Sequence, residues 1–335
     1  MATSGDYSWN PPSYKIITGA MRLISAIQSG ETPPAEEYDD ALDALNGLMM
    51  HFQASGIHVW SEIEAILFLQ PLQRTYAIGP GTTDHACPAN DWLQTYLTTP
   101  ALAGATSIQV AATTDPRNTI LAGDWIGIVL DQQGQTPPTL FWSRVGSVAG
   151  STVNLVTPMP SQAASGARVL DYTTDLMRPL KVPAGRRLIF AGNTGIPPRI
   201  ETPMAIYSRI DYGAIPNKDS LGEITAFFYD PQLVRGLINV WPNPINVGTA
   251  MTFTAQRPLQ DFVSQSDTAD LPQEWISCLR YQLAVELAPE YDVPAERFQM
   301  IQSIAAAKIA SCMAWDREPE SIYFGVSNFP DQRNT

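Results

Sequence analysis

The sequence predicts an α+β chain: a helical bundle built from the N- and C-terminal helices, with a large inserted β-region that includes a small β-barrel or sandwich module. Three observations lead there. Helical periodicity is confined to the two ends of the chain. Between them the apolar pattern switches to short runs separated by turn residues. The 28 prolines and 22 glycines crowd the middle and thin out near the ends.

The first helix is expected from Ser13, a good N-cap, through Ile16, Ile17, Ala20, Met21, Leu23, Ile24 and Ile27, with Gly30 as its stop. A second starts after Pro33 and Pro34. Glu36, Glu37, Asp39 and Asp40 crowd its beginning, where carboxylates suit the helix dipole. Tyr38, Ala41, Leu42, Leu45, Leu48, Met49 and Phe52 form its apolar stripe, and Gly56 ends it. The runs 57–60 and 63–69 read as strands, followed by a Gly79-Pro80-Gly81 turn.

Strand patterns at 107–110, 124–130, 139–148, 152–156 and 168–172 recur with turn punctuation, which suggests a self-contained β-module over 100–172. Further strands are expected at 204–211, 224–229, 237–241 and 251–256. Helices return at Leu271-Pro272-Gln273-Glu274, with a stripe of Trp275, Cys278, Leu279, Leu283 and Leu287 ending near Pro289. A last helix runs from Pro294 through Phe298, Ile301, Ile304, Ala305, Ile309, Cys312 and Met313.

Two terminal amphipathic pairs need partners for their stripes, and one shared bundle buries the most apolar surface. Its expected core is Leu42, Leu45, Met49, Phe52, Trp275, Leu279, Leu283, Ile301 and Ile304. The expected organisation is a bundle from 1–60 and 266–319, a β-domain from 61–99 and 173–265, the module at 100–172, and a tail at 320–335.

Composition narrows the function. The chain has 335 residues, 44% of them hydrophobic, which excludes global disorder. Charged residues make up only 16%, against about 25% in typical domains. The surface is therefore rich in neutral polar groups, which suits stacking against copies of the same chain. The net charge of −13 argues against gripping nucleic acid through its phosphates. Passive passage of DNA remains compatible with acidic walls. Cys87, Cys278 and Cys312 make no disulfide framework, which fits assembly in a reducing cytoplasm. Neither a secretory leader nor a transmembrane helix is expected, because no apolar stretch has the required length.

No motif carries catalysis. His85-Ala86-Cys87 lacks the further ligands of a metal site, so neither metal nor cofactor is expected. The Gly79-Pro80-Gly81 turn lacks the Gly-Lys-Ser/Thr of a phosphate loop. A hydrolase would have to use His51, His58 or His85, and no Gly-x-Ser-x-Gly elbow is present. Glu36, Glu37, Asp39 and Asp40 read either as a solvated helix start or as an acidic lumen or docking face. Arg178, Lys181, Arg186 and Arg187 read either as dispersed charges or as a surface meeting an acidic neighbour or DNA. Trp315, Tyr323, Phe324 and Phe329 lie in or beside the tail, and read as docking anchors or as a segment folding back on the chain.

Several segments also carry a family resemblance. The run from Ala41-Leu42-Asp43-Ala44-Leu45-Asn46-Gly47-Leu48-Met49-Met50 to Gly56-Ile57 resembles the second helix of the tail accessory factors that stabilise packaged DNA in short-tailed phages. Leu283-Ala284-Val285-Glu286-Leu287-Ala288-Pro289-Glu290-Tyr291 resembles their closing helices. Tyr207-Ser208-Arg209-Ile210-Asp211-Tyr212, Tyr229-Asp230-Pro231-Gln232, Val240-Trp241-Pro242 and Leu271-Pro272-Gln273-Glu274-Trp275 are similar to segments of head-to-tail adaptors of the tubular-tail-protein type. The resemblance covers most of the chain in order and is weakest over 93–172.

It implies a ring of roughly twelve copies under the portal protein of a virion, and with no catalytic constellation among the residues the chain is expected not to be an enzyme. The ring would continue the channel through which double-stranded DNA passes and attach the tail nozzle or a fibre. The docking tail would meet the portal. The other expectation kept open is a fibre or glycan-binding attachment protein with a β-rich body.

Overall fold

The computed structural model describes residues 5, 8–55, 59–112, 119–131, 137–190 and 199–316. The chain starts with helices α1 (Ser13–Leu23) and α2 (Ala35–Ala54). Nine strands follow: β1 (Glu62–Phe68), β2 (Thr75–Ile78), β3 (Ala86–Pro88), β4 (Trp92–Tyr96), β5 (Ser107–Gln109), β6 (Trp125–Val129), β7 (Leu140–Ala149), β8 (Thr152–Leu155) and β9 (Arg168–Tyr172). Then come β10 (Lys181–Phe190), β11 (Arg199–Pro203), β12 (Ala205–Ile206), the short helix α3 (Arg209–Ala214), β13 (Ala226–Pro231), β14 (Gly236–Trp241) and β15 (Thr249–Gln256). Helices α4 (Ile276–Leu287) and α5 (Ala295–Trp315) close the described chain.

This corrects the expected fold class. A helical bundle carrying an inserted module does not describe the chain, because three sheets with fifteen strands form its bulk among the described residues. The chain is mainly β. The sequence pattern hid part of this: β10 contains Pro183 and Gly185, and β2, β3 and β4 are too short to show a period of two.

Two compact units divide the chain, one from Met1–Trp60 with Leu259–Thr335, the other Ser61–Pro258. In the helical unit, α4 packs against α1, α2 and α5. Its centre is Trp275, fully buried, with the Phe52 ring edge-on at 5.9 Å and the Trp60 ring at 4.9 Å. Leu45, Met49, Phe52, Leu279, Leu283 and Ile301 are buried around it. Leu42 lies only partly buried against this core. Ile304 is a correction: it is half-buried, and Ala305 takes the buried position one residue on, where the α5 stripe turns toward α4.

Paired hydrogen bonds stitch the two chain ends together. The Asn46 amide donates to the Phe262 carbonyl at 3.0 Å and accepts from its N–H at 2.9 Å. α1 stops earlier than Gly30: Ser25 takes a left-handed φ of 64°, and the Ala26 N–H reaches back to the Met21 carbonyl at 3.0 Å, a Schellman closure.

The β-unit contains a five-stranded sheet in the order β11-β10-β15-β1-β3 and a four-stranded sheet in the order β12-β13-β14-β2. Ala65 and Leu67 of β1, Met251 and Phe253 of β15, and Phe227, Ile238 and Val240 share one core. The alternate residues Ile66 and Phe68 belong to another core, with Trp92, Leu170, Tyr172, Leu188 and Phe190. β1 is thus buried on both faces, which is why its inner half reads as an unbroken apolar run.

The third sheet, β4-β9-β6-β7-β8-β5, encloses its own core of Leu93, Leu97, Ile108, Ile126, Ile128, Val145, Val153 and Val169. It starts at Trp92, earlier than the expected residue 100, because β4 pairs with β9 from Trp92↔Tyr172 to Tyr96↔Arg168. Two local expectations also change. The segment 204–211 is not one strand: β12 is followed by α3, whose Ser208 and Asp211 form a reciprocal capping box. Of 57–60, residues 57 and 58 lie outside the described residues, and Val59–Ser61 is a 3₁₀ turn.

Candidate functional site

The densest chemistry of the β-unit gathers around His85, just before β3. The ring is buried between aromatics: Trp142 of β7 stacks on it at 4.1 Å and Trp125 of β6 meets it edge-on at 4.7 Å. Gly127 lets the Trp142 ring in, since a Cβ there would lie 2.8 Å from it. His85 Nδ1 lies 2.8 Å from the Tyr172 hydroxyl, which donates to Asp175 Oδ1 at 3.0 Å. Asp175 only accepts when ionised, so the Tyr172 proton is committed to it. The Nδ1–H therefore donates to the Tyr172 oxygen, and Nε2 is the acceptor of the ring. Arg144 closes the chain of contacts, 3.5 Å from Asp175 and 3.9 Å over the Trp125 ring.

Electrostatics follow from burial. Desolvation, with a contribution from Arg144, pushes the His85 pKa down to about 3, so the imidazole is neutral at physiological pH. Burial pushes the Tyr172 hydroxyl far above its usual range, and Asp175 adds to this. On the same strand Asp171 is 2% exposed, and its Oδ1 has no hydrogen-bond partner. Burial and the neighbouring Asp124 and Asp91 push its pKa up to about 8, so it carries a proton at neutral pH.

A pocket of about 330 Å³ opens beside His85, lined by Phe68, Gln70, Gln73, Thr83, Asp84 and Trp142. Gln70 is clamped to both backbone groups of Leu140, and Asp84 accepts from Gln73 at 2.6 Å and from the Ala77 N–H at 2.7 Å. A neutral histidine held by a tyrosine is a weak base, and its partners make a rigid wall rather than a nucleophile pair. Among the described residues no group of three or more His, Cys, Asp and Glu side chains is placed to hold a metal ion. No helix there is long and apolar enough to cross a membrane.

The sequence-predicted charges do not converge. Arg186 bonds Glu64 and lies 2.8 Å from Glu201, and Arg187 pairs with Glu223 at 3.2 Å. Arg178 donates to the Gln232 carbonyl, and Lys181 is exposed. Successive residues of β10 point to opposite faces, so these cations form no single basic surface. Glu36, Asp39 and Asp40 are exposed at the start of α2, while Glu37 accepts from the Tyr291 hydroxyl at 3.2 Å. His51 is exposed in the last turn of α2. Trp315 is 63% exposed at the end of α5. Tyr323, Phe324, Phe329 and His58 lie outside the described residues.

The sequence reading missed Trp125, Trp142, Arg144, Asp171, Tyr172 and Asp175. Its available signal was Asp171 itself, a carboxylate inside the apolar run Val169-Leu170-Asp171-Tyr172.

No protein-family description matches the chain, and no characterised protein matches it in sequence. Among solved structures, the Gp54 tailspike of Acinetobacter baumannii bacteriophage AP22, in complex with A. baumannii capsular saccharide, is similar over 26% of this chain and 15% of its own, at 20% identity and a TM-score of 0.22. The Pseudomonas phage phi297 tailspike gp61 is similar over 24% of this chain and 14% of its own, at 21% identity and a TM-score of 0.21. This chain thus spans about one seventh of the length of either tailspike. Overlaps this small and loose carry no argument about fold or function.

Proposed function

We propose that this chain is a structural, non-enzymatic component of a phage virion, working at the head–tail junction as an adaptor that packs against copies of itself and meets the portal. The observation that carries this reading is the outer face of α5. Across 299–314 the exposed positions are Gln, Ser, Ala and Met. The one charged residue of that stretch, Lys308, is tied to Ser277 at 2.9 Å. A helix face meant for water normally carries charge. An uncharged one loses little on being covered by another protein. The segments that resemble those of short-tailed-phage adaptors, taken in order along the chain, support the same reading, as does the low overall charge.

Native mass spectrometry tests it, on the pure chain alone and mixed with the portal protein of the same phage. The expected result is a low-order species that becomes a ring of roughly twelve on the portal. A chain that ignores the portal would sink the proposal.

The dominance of β-structure favours a second reading, an attachment protein with a β-rich body. Its signature in the same experiment is a stable trimer indifferent to portal, with retention of host capsular saccharide.

A further inference from the structure

Two helices of the helical unit carry outward rows of opposite charge. On α1 the outward positions are Lys15, Gly19 and Arg22, spaced by four and then three residues, with both cations exposed. The middle position has no side chain of its own. Arg280 of α4 fills it, since a Cβ on Gly19 would lie 2.8 Å from Arg280 Cδ and Nε. That Nε is buried and has no hydrogen-bond partner among the described residues. Lys15, Arg280 and Arg22 thus form one row of cations about 10 Å long, at 1.5 Å of helix rise per residue.

On α2 the outward positions are Glu36, Asp40 and Asp43, all exposed and again spaced by four and then three residues. The helix dipole accounts for Glu36, which lies in the first turn. It does not account for Asp40 and Asp43, which lie beyond its reach.

Among the described residues, none of these six side chains forms an ion pair. The β-unit behaves differently. There Arg74, Arg144, Arg186, Arg187 and Arg209 each pair with a carboxylate of the same chain.

We infer that the cation row of one copy docks on the carboxylate row of the next copy of this chain. Matched spacing lets the two helices lie side by side with three opposed pairs. The net charge of −13 makes an undirected approach of two copies repulsive, and the cation row reverses that repulsion locally, which sets the orientation. The two surfaces differ, so the contact is head-to-tail and leaves one row of each kind free for further copies. The inference rests on the self-packing proposed above. Its test contains no portal, so either can fail while the other stands.

The test is sedimentation equilibrium of the full chain at low and at high ionic strength. Association is expected at low ionic strength and should weaken as salt screens the rows. Lys15→Glu with Arg22→Glu, and separately Glu36→Lys with Asp43→Lys, should each raise the dissociation constant by roughly 10–100-fold. Mixing the two double variants should restore association, because every row then meets its complement. All four positions are exposed, so helical circular dichroism should stay unchanged. Carbodiimide coupling of mixed isotopically light and heavy copies should join Lys15 to an α2 carboxylate in peptides of mixed label.

A chain that stays monomeric at low ionic strength, association that ignores both salt and charge reversal, or a mixture that fails to recover would each overturn the inference. So would a monomer that instead retains double-stranded DNA through Lys15 and Arg22.

Discussion

Replacing Asp171 by Asn isolates one buried proton. In the fold the Asp171 pKa is raised to about 8 from an ordinary 3.8, chiefly by burial. A carboxyl whose folded pKa is raised stabilises the fold fully below its unfolded value, and that contribution is lost as pH rises through the folded value. Between these limits the unfolded chain has released a proton that the native chain keeps, so stability falls by about 1.4 kcal/mol per pH unit. His85 confuses the lower part of this range, because its depressed pKa makes stability fall as pH drops below 6.5 toward 3. Above pH 6.5 that imidazole is neutral in both states.

The clean window is therefore pH 6.5 to 8, where Asp171 alone should remove about 2 kcal/mol. Asn has the shape of the neutral acid and nothing to titrate. Urea unfolding read by amide hydrogen exchange in β6, β7 and β9 isolates this unit, because the eight tryptophans divide four and four between the two units. The expected result is a sloping stability profile for the natural chain and a flat one for Asp171→Asn. Equal slopes would refute the assignment of the buried proton to Asp171.

Three further outcomes follow from the packing. His85→Gln should unmask the Asp171 slope between pH 6.5 and 4: in the natural chain the two opposite dependences largely cancel there, whereas the variant should keep gaining stability as pH falls, measured by the same unfolding. Gly127→Ala should destabilise the β-unit by about 1–3 kcal/mol, since its Cβ would press on the Trp142 ring at 2.8 Å, and a smaller residue at 142 should restore part of that loss. Leu45→Asp should abolish the cooperative unfolding of the helical unit and lower its helical circular dichroism, because Leu45 is fully buried and an unpaired charge there has no partner; unchanged ellipticity would show that this face does not hold the core.

The sequence alone determined those elements whose signals are local. α2 was legible from Pro34, the carboxylates after it and an apolar stripe running from Tyr38 to Phe52. The strand ranges around β6, β7, β8 and β9 were legible from turn residues on both sides. What it missed depended on partners far along the chain. α3 is set by the reciprocal Ser208–Asp211 cap in a stretch whose apolar pattern reads as a strand. β10 tolerates Pro183 because it falls where the register with β15 shifts, and Gly185 because the Phe227 ring occupies the space a Cβ would fill. The weight of β-structure escaped because strands buried on both faces do not alternate. The His85 node joins β6, β7 and β9 across residues 85 to 175, and no spacing rule links an imidazole to a tyrosine 87 positions away. Local signals fix where backbone hydrogen bonds can form, but only the pairing of distant strands removes His85 and Asp171 from water, and desolvation is what sets their protonation.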